Sequence, residues 1–398
     1  MRVRRRHILT AVVAAIAVVA TACGADPAPV VAASGPPAPT EPVARELLFL
    51  PAPTSLRVVD VGTGDTVLDA PVGVVSADGS VVVGASPTPR GDGTDVVAWS
   101  SGTGEELSRV RVSGSFQPRV VSPDGSSVVL GPARSPVAPE VIAPGRPRTP
   151  LALVRFDGAE PRVLDVAGNV EPEAFTTDGA GVIVVDYLPP EAPDRYRVAR
   201  LDLASGELSE LKSPDAIGGA EMQGTARTQA LSSDGARLYT LYSVAAGGPV
   251  GAFVHVLDLG EQWAHCIDLP QPFGSAPDAA FGVSLSTDGR RLWVADSSAE
   301  TVAEIDTEAL SVERSVPLAM PRGAEGMRPV LTSGRSSQAV YLAVGSAVTM
   351  LDPDSLEAQR SFDVDGDVRA LRLGPDGRLA VVVGDKVLLF DDGPPGRG

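Results

Sequence analysis

Two groups of residues in the chain have side chains able to do chemistry at spacings worth testing. His255 and His265 stand on neighbouring predicted strands, and Cys266 directly follows His265. A hairpin would let the two imidazoles approach each other, but without a third ligand they make a poor zinc site. Consecutive strand residues point to opposite faces, which separates His265 from Cys266 as a base–nucleophile pair. The expectation is strand-face histidines and a buried thiol. The second group, Asp363-Val364-Asp365-Gly366-Asp367, has the oxygen donors of a calcium loop. An EF-hand starting at Asp363 needs Gly in sixth place and Glu in twelfth, where Val368 and Gly374 stand, so a turn is expected instead. No Gly-x-Ser-x-Gly elbow, phosphate loop or His-Glu-x-x-His occurs. No metal and no cofactor is therefore expected.

The elements that must position any site repeat along the chain. A four-residue turn recurs as Ser76-Ala77-Asp78-Gly79, Ser122-Pro123-Asp124-Gly125, Thr176-Thr177-Asp178-Gly179, Ser232-Ser233-Asp234-Gly235, Ser286-Thr287-Asp288-Gly289 and Gly374-Pro375-Asp376-Gly377, with a degenerate copy at Thr332-Ser333-Gly334-Arg335. Pro presets φ, Asp accepts from the backbone ahead and Gly tolerates positive φ, so these are hairpin turns. A second signature is an apolar run closed by Asp, as in Val58-Val59-Asp60, Leu201-Asp202, Val256-Leu257-Asp258, Ile305-Asp306, Leu351-Asp352 and Phe390-Asp391. Strands such as Leu379-Ala380-Val381-Val382-Val383 are apolar on consecutive positions, as strands covered on both faces should be. The turns recur every 42 to 56 residues, within the range of four-stranded propeller blades. The stretches before the first turn and after the last together amount to one more such interval. The expected fold is an all-β, seven-bladed β-propeller over residues 46–392, closed by N-terminal strands that complete the sheet begun by the C-terminal ones. Both ends carry a third strand, so eight blades with one partial is the alternative.

Charge and the N-terminus bound the partners. With 33 Lys plus Arg against 50 Asp plus Glu the net charge is −17, which excludes the basic surface a nucleic-acid binder needs. Arg2, Arg4, Arg5 and Arg6 precede an uncharged stretch from Ile8 to Ala20 that is too short to span a bilayer, so residues 1–22 read as a secretory signal. Arg5-Arg6 also fits a twin-arginine signal, and the export route stays open. Ala20-Thr21-Ala22-Cys23-Gly24 resembles a bacterial lipobox, which implies lipidation at Cys23; a plain signal peptide is the alternative. Losing residues 1–22 removes four arginines and no acid, taking the charge to −21. So acidic a surface is repelled by anionic headgroups, which leaves the lipid to hold the protein at the membrane. Residues 23–45, with six prolines, read as an extended spacer, and residues 393–398 as a disordered tail.

Arg291-Leu292-Trp293-Val294-Ala295-Asp296-Ser297, followed by Thr301-Val302-Ala303-Glu304-Ile305-Asp306-Thr307, resembles the YVTN-type surface-layer β-propeller repeat. Tyr341 to Asp352 is a weaker copy. The resemblance implies the propeller fold and points to extracellular binding and adhesion modules, with sugar-lactone hydrolases among near relatives.

In such blades both tight turns fall on one rim, and the irregular connections gather on the other. There lie Met222, Gln223, Arg227, Phe273, Met320, Arg322, Met327 and Arg328, where Met and Arg suit adaptable contact with a partner. The expected function is a membrane-anchored, extracytoplasmic, monomeric lipoprotein that binds a protein, peptide or envelope polymer without catalysis. Filling of the channel mouth is the plainer role for those side chains. The alternative function is a lactonase-like hydrolase using Asp215, Asp278, Glu325 and Arg322 at the channel mouth, although no His lies in the loops between blades to act as a base. The loop from Gly131 to Pro150, with Arg134, Arg146 and Arg148, reads as a solvated insertion or as a stiff basic finger.

Overall fold

The computed structural model describes residues 46–390 apart from 53, 134–143, 213–220, 245–249, 277–278, 319–325, 335–338 and 375–376. The lipidation site, the spacer and the tail lie outside the described residues. So do Arg134, Asp215, Asp278, Met320, Arg322 and Glu325.

The recurring turns bend the chain by the chemistry that their residue types supply. In the second copy Ser122 Oγ donates to Asp124 Oδ1 at 2.6 Å and accepts from the Ser127 amide at 2.9 Å. Asp124 Oδ1 also accepts from the Ser126 amide at 3.0 Å, and Gly125 takes φ of 70°. The Thr or Ser, the Asp and the amide five residues beyond the hydroxyl are joined in the same way in the turns after Ser76, Thr176, Ser232 and Ser286. The aspartates closing the apolar runs act similarly: Asp202 Oδ1 accepts the amides of Ala204 and Ser205 at 3.0 and 2.9 Å, and Asp306 Oδ1 those of Glu308 and Ala309, both at 2.8 Å. Each carboxylate thus satisfies amides that a tight turn would leave unpaired.

Among the described residues thirty strands run between these turns, hydrogen-bonded into eight antiparallel sheets, six of four strands and two of three. Within each sheet the strands follow chain order, giving blade 1 (47–71), blade 2 (73–113), blade 3 (116–167), blade 4 (169–210), blade 5 (225–268), blade 6 (281–317), blade 7 (330–363) and blade 8 (368–390). The middle strands are covered on both faces, as in Arg291–Asp296, whereas the outermost strand of the same blade, Ser311–Pro317, alternates between exposed and half-buried positions. The core lies between blades. Leu241, Val254 and Val256 of blade 5 pack on Leu292, Val294 and Ile305 of blade 6, and Trp293, on the reverse face, packs with Val340, Leu342 and Leu351 of blade 7. Arginines clasp successive blades: Arg237 donates to the Thr307 carbonyl at 2.9 Å and Arg291 to that of Pro353 at 3.3 Å, each just beyond the closing Asp of the next blade.

Seven blades with a shared sheet are not what forms. The three N-terminal strands and the three C-terminal strands make separate sheets. Six strands are too many for one four-stranded blade, so the ends stack rather than pair. Leu48 and Val61 pack on Ala380 and Val382, while Arg372 Nε meets Glu46 Oε1 and Arg57 Nη1 meets Asp385 Oδ1, both at 3.1 Å. Among the described residues closure is by face-to-face burial plus two ion pairs, with no strand pairing across the seam. The Asp363–Asp367 stretch is a turn between blades 7 and 8, as expected, with Gly366 at φ of 123°.

Candidate functional site

The innermost strand of each blade faces a central channel. On one side of it are Phe49, Pro51, Val74, Val120, Ala174 and Leu231, and on the other Thr228, Val283, Leu331 and Leu371. The lining is largely apolar, so the charged residues in it stand out. Four of the innermost strands carry a β-bulge, and the residue skipped by the pairing is in each case charged: Arg119 in blade 3, Glu173 in blade 4, Arg227 in blade 5 and Arg369 in blade 8. A bulge inserts one unpaired residue and re-aims its side chain, and bulges gather beside functional sites. In blades 3, 4 and 8 the bulged charged residue lines the channel.

Deep in the channel these charges interact. The Arg119 guanidinium pairs through Nε with Glu171 Oε1, both side chains being nearly nine-tenths buried, and through Nη2 donates to the Pro132 carbonyl at 2.6 Å. Glu173, the bulged residue two places beyond Glu171, lies near enough for the Glu171 charge to act on its carboxyl. Glu173 Oε2 is buried and makes no hydrogen bond. Burial, followed by the charge of Glu171, pushes the Glu173 carboxyl up to about 7. Glu173 is half-buried and lines the channel.

Toward the irregular rim lies a cleft of about 280 Å³, whose walls include Leu50, Val283, Pro329 and Leu371. Arg328 and Arg369 both line it, and both are exposed. Arg328 Nη2 donates to Thr228 Oγ1 at 3.1 Å, which holds one guanidinium across the mouth between blades 7 and 5. Two cations on apolar walls, within a protein of net charge −17, suit an anionic group carried on an apolar or extended ligand.

The structure divides the residues nominated from the sequence. Arg328 is at the cleft, and Arg227, on its bulge, is exposed and donates to Ser243 Oγ at 2.6 Å. Met327 is 40% exposed at the same rim. Phe273, by contrast, is fully buried among Leu241, Val254 and Phe281, so its ring packs the core between blades 5 and 6. Met222 lies between blades 4 and 5, its backbone paired with Tyr196. Arg148 is paired with Asp165 at 2.6 Å on a strand of blade 3. His255 and His265 do not face each other: Val256 stands opposite His265, which places the two imidazoles on opposite faces of blade 5. Sequence reasoning passed over Arg119, Glu171, Glu173 and Arg369. A signal for them exists, since each stands five or seven places before the turn Asp of its blade.

No family model matches the chain, and no curated protein matches it. Solved structures do. The computationally designed Ika8 protein superposes with a TM-score of 0.53 at 15% identity, over 88% of this chain and 94% of that one. The Dos1 propeller gives 0.53 at 8% identity over 86% of each chain. Hydrazine synthase from Kuenenia stuttgartiensis gives 0.45 at 16% identity over 80% of this chain and 94% of that one. The first two likenesses show the fold, an all-β propeller, and nothing beyond it.

Proposed function

We propose that the protein is a lipid-anchored, extracytoplasmic propeller of the YVTN type that binds a protein, peptide or envelope polymer at its irregular rim. The signal-like residues 1–22, the lipobox-like end at Cys23 and the proline-rich spacer support a body held away from a membrane. The observation that carries the binding reading is the cleft at the channel mouth, where Arg328 and Arg369 stand on apolar walls. A rigid ring of blades holds such a cleft in shape before any ligand arrives, so little ordering entropy opposes binding. The ligand is recognised by a carboxylate or other anionic group between the two guanidiniums, with apolar contact to Leu50, Val283 and Leu371.

The experiment is affinity capture from the native envelope, with covalent cross-linking, comparing wild type with an Arg328→Ala, Arg369→Ala double variant. Loss of a cross-linked partner in the double variant supports the reading. Identical cross-linked partners in both place the binding surface elsewhere. Membrane fractionation of wild type and Cys23→Ser tests the anchor separately, with release of the variant into the soluble fraction as the expected result.

A further inference from the structure

A row of polar side chains crosses the otherwise apolar face of blade 5 that packs on blade 4. Thr240, His255 and Cys266 are direct partners across three adjacent strands, so all three point to the same side. Their neighbours on that face are Tyr242 and Phe253 at one end and Leu238, Leu257 and Ala264 at the other, which pack on residues of blade 4. Met222 packs against both of these groups, so it stands over the row between them. The Cys266 thiol donates to Met222 Sδ at 3.5 Å. His255 is 1% exposed and lies edge-on to the Tyr242 ring at 6.1 Å, and its Nδ1 makes no hydrogen bond. Thr240 Oγ1 is likewise buried and unpartnered.

Buried polar atoms ordinarily find partners, and an orphaned imidazole nitrogen in an apolar seam needs an explanation. Here it stands across the ladder from a thiol that is itself in contact with a thioether. Burial, and then the proximity of His265, pushes the His255 imidazole down to about 4, so at neutral pH it is uncharged and its lone pair is free to donate. Cys266 is exposed and gives an ion access from solvent.

We infer that Cys266, Met222 and His255 form a binding site for a soft monovalent metal ion, Cu(I) in chemical class, in the seam between blades 4 and 5. Thiolate and thioether donors select Cu(I) over the harder divalent ions, and a single imidazole completes a three-coordinate shell. Binding replaces the thiol proton, which leaves to solvent, by a sulfur–metal bond, with no change in oxidation state. The site is separate from the channel cleft, so it stands or falls independently of the ligand proposed there.

The test is an anaerobic titration of the full chain with Cu(I) against bicinchoninate as the competing chromophore. X-ray absorption of the loaded protein then reads the donor atoms. Wild type is expected to withdraw one equivalent of Cu(I), with sulfur and one imidazole nitrogen in the first shell. Cys266→Ser is expected to withdraw none, and Met222→Leu to bind more weakly by more than the roughly tenfold typical of losing an outer-shell group. Far-ultraviolet circular dichroism confirms that each variant keeps its sheet. The inference is overturned if wild type leaves the copper with the chelator or if Cys266→Ser still takes an equivalent. Unchanged affinity in Met222→Leu, or a shell without nitrogen, overturns it equally.

Discussion

Glu173→Gln isolates the cost of a buried carboxylate in the channel. The native carboxyl titrates at about 7, against an ordinary value of 4.5, because burial and Glu171 both disfavour the charged form. A folded-state pKa raised in an acid means that the native protein binds more protons than the unfolded chain between those two values. Stability therefore falls as pH rises from about 4.5 to about 7 and levels off above. A gap of about 2.5 pH units corresponds to about 3 kcal/mol at pH 8 and to almost nothing at pH 4.5. Glutamine keeps the shape and cannot ionise. Urea denaturation at pH 5, 6, 7 and 8 gives the stability difference between variant and wild type, in which every shared titration cancels. The variant should exceed wild type by under about 1 kcal/mol at pH 5 and by about 3 kcal/mol at pH 8. A difference that stays constant from pH 5 to pH 8 refutes the assignment of Glu173 as the proton-exchanging group.

The other expected outcomes follow from single contacts. Arg119→Met leaves the buried Glu171 carboxylate without its cation and should destabilise by about 3–5 kcal/mol in urea denaturation. Ser122→Ala deletes both hydrogen bonds of the Ser122 hydroxyl in one blade turn and should lower stability by about 1 kcal/mol in the same assay, with the circular dichroism of the sheet unchanged. Trp293→Ala empties a fully buried site between blades 6 and 7 and should cost about 3–5 kcal/mol, read as a fall in the urea midpoint. At the seam, Arg372→Ala should cost under about 1 kcal/mol, because that ion pair is half-exposed, whereas Val382→Asp should lower the thermal midpoint sharply by burying an unpaired charge.

The blade was legible because its instructions are local. Ser122, Asp124 and Gly125 make their turn with atoms no more than five residues apart, and Asp202 caps its turn in the same way. Blade number was harder. Both ends present three strands, and whether these merge into one sheet or stack as two depends on pairing between segments some 320 residues apart, about which local pattern says nothing. Phe273 shows the same limit: a rim loop in sequence order, its ring is drawn into the core between two blades.

The chain's order of residues determined strand, turn and repeat, since each arises from contacts within a few positions. Tertiary structure alone decided which side chains share a space. The bulges that aim Arg119, Glu173, Arg227 and Arg369 depend on one-residue slips in strand pairing, and a slip is a property of two strands together. Met222, His255 and Cys266 meet because blade 5 lays one of its faces on blade 4, bringing together residues that the sequence separates by up to 44 positions.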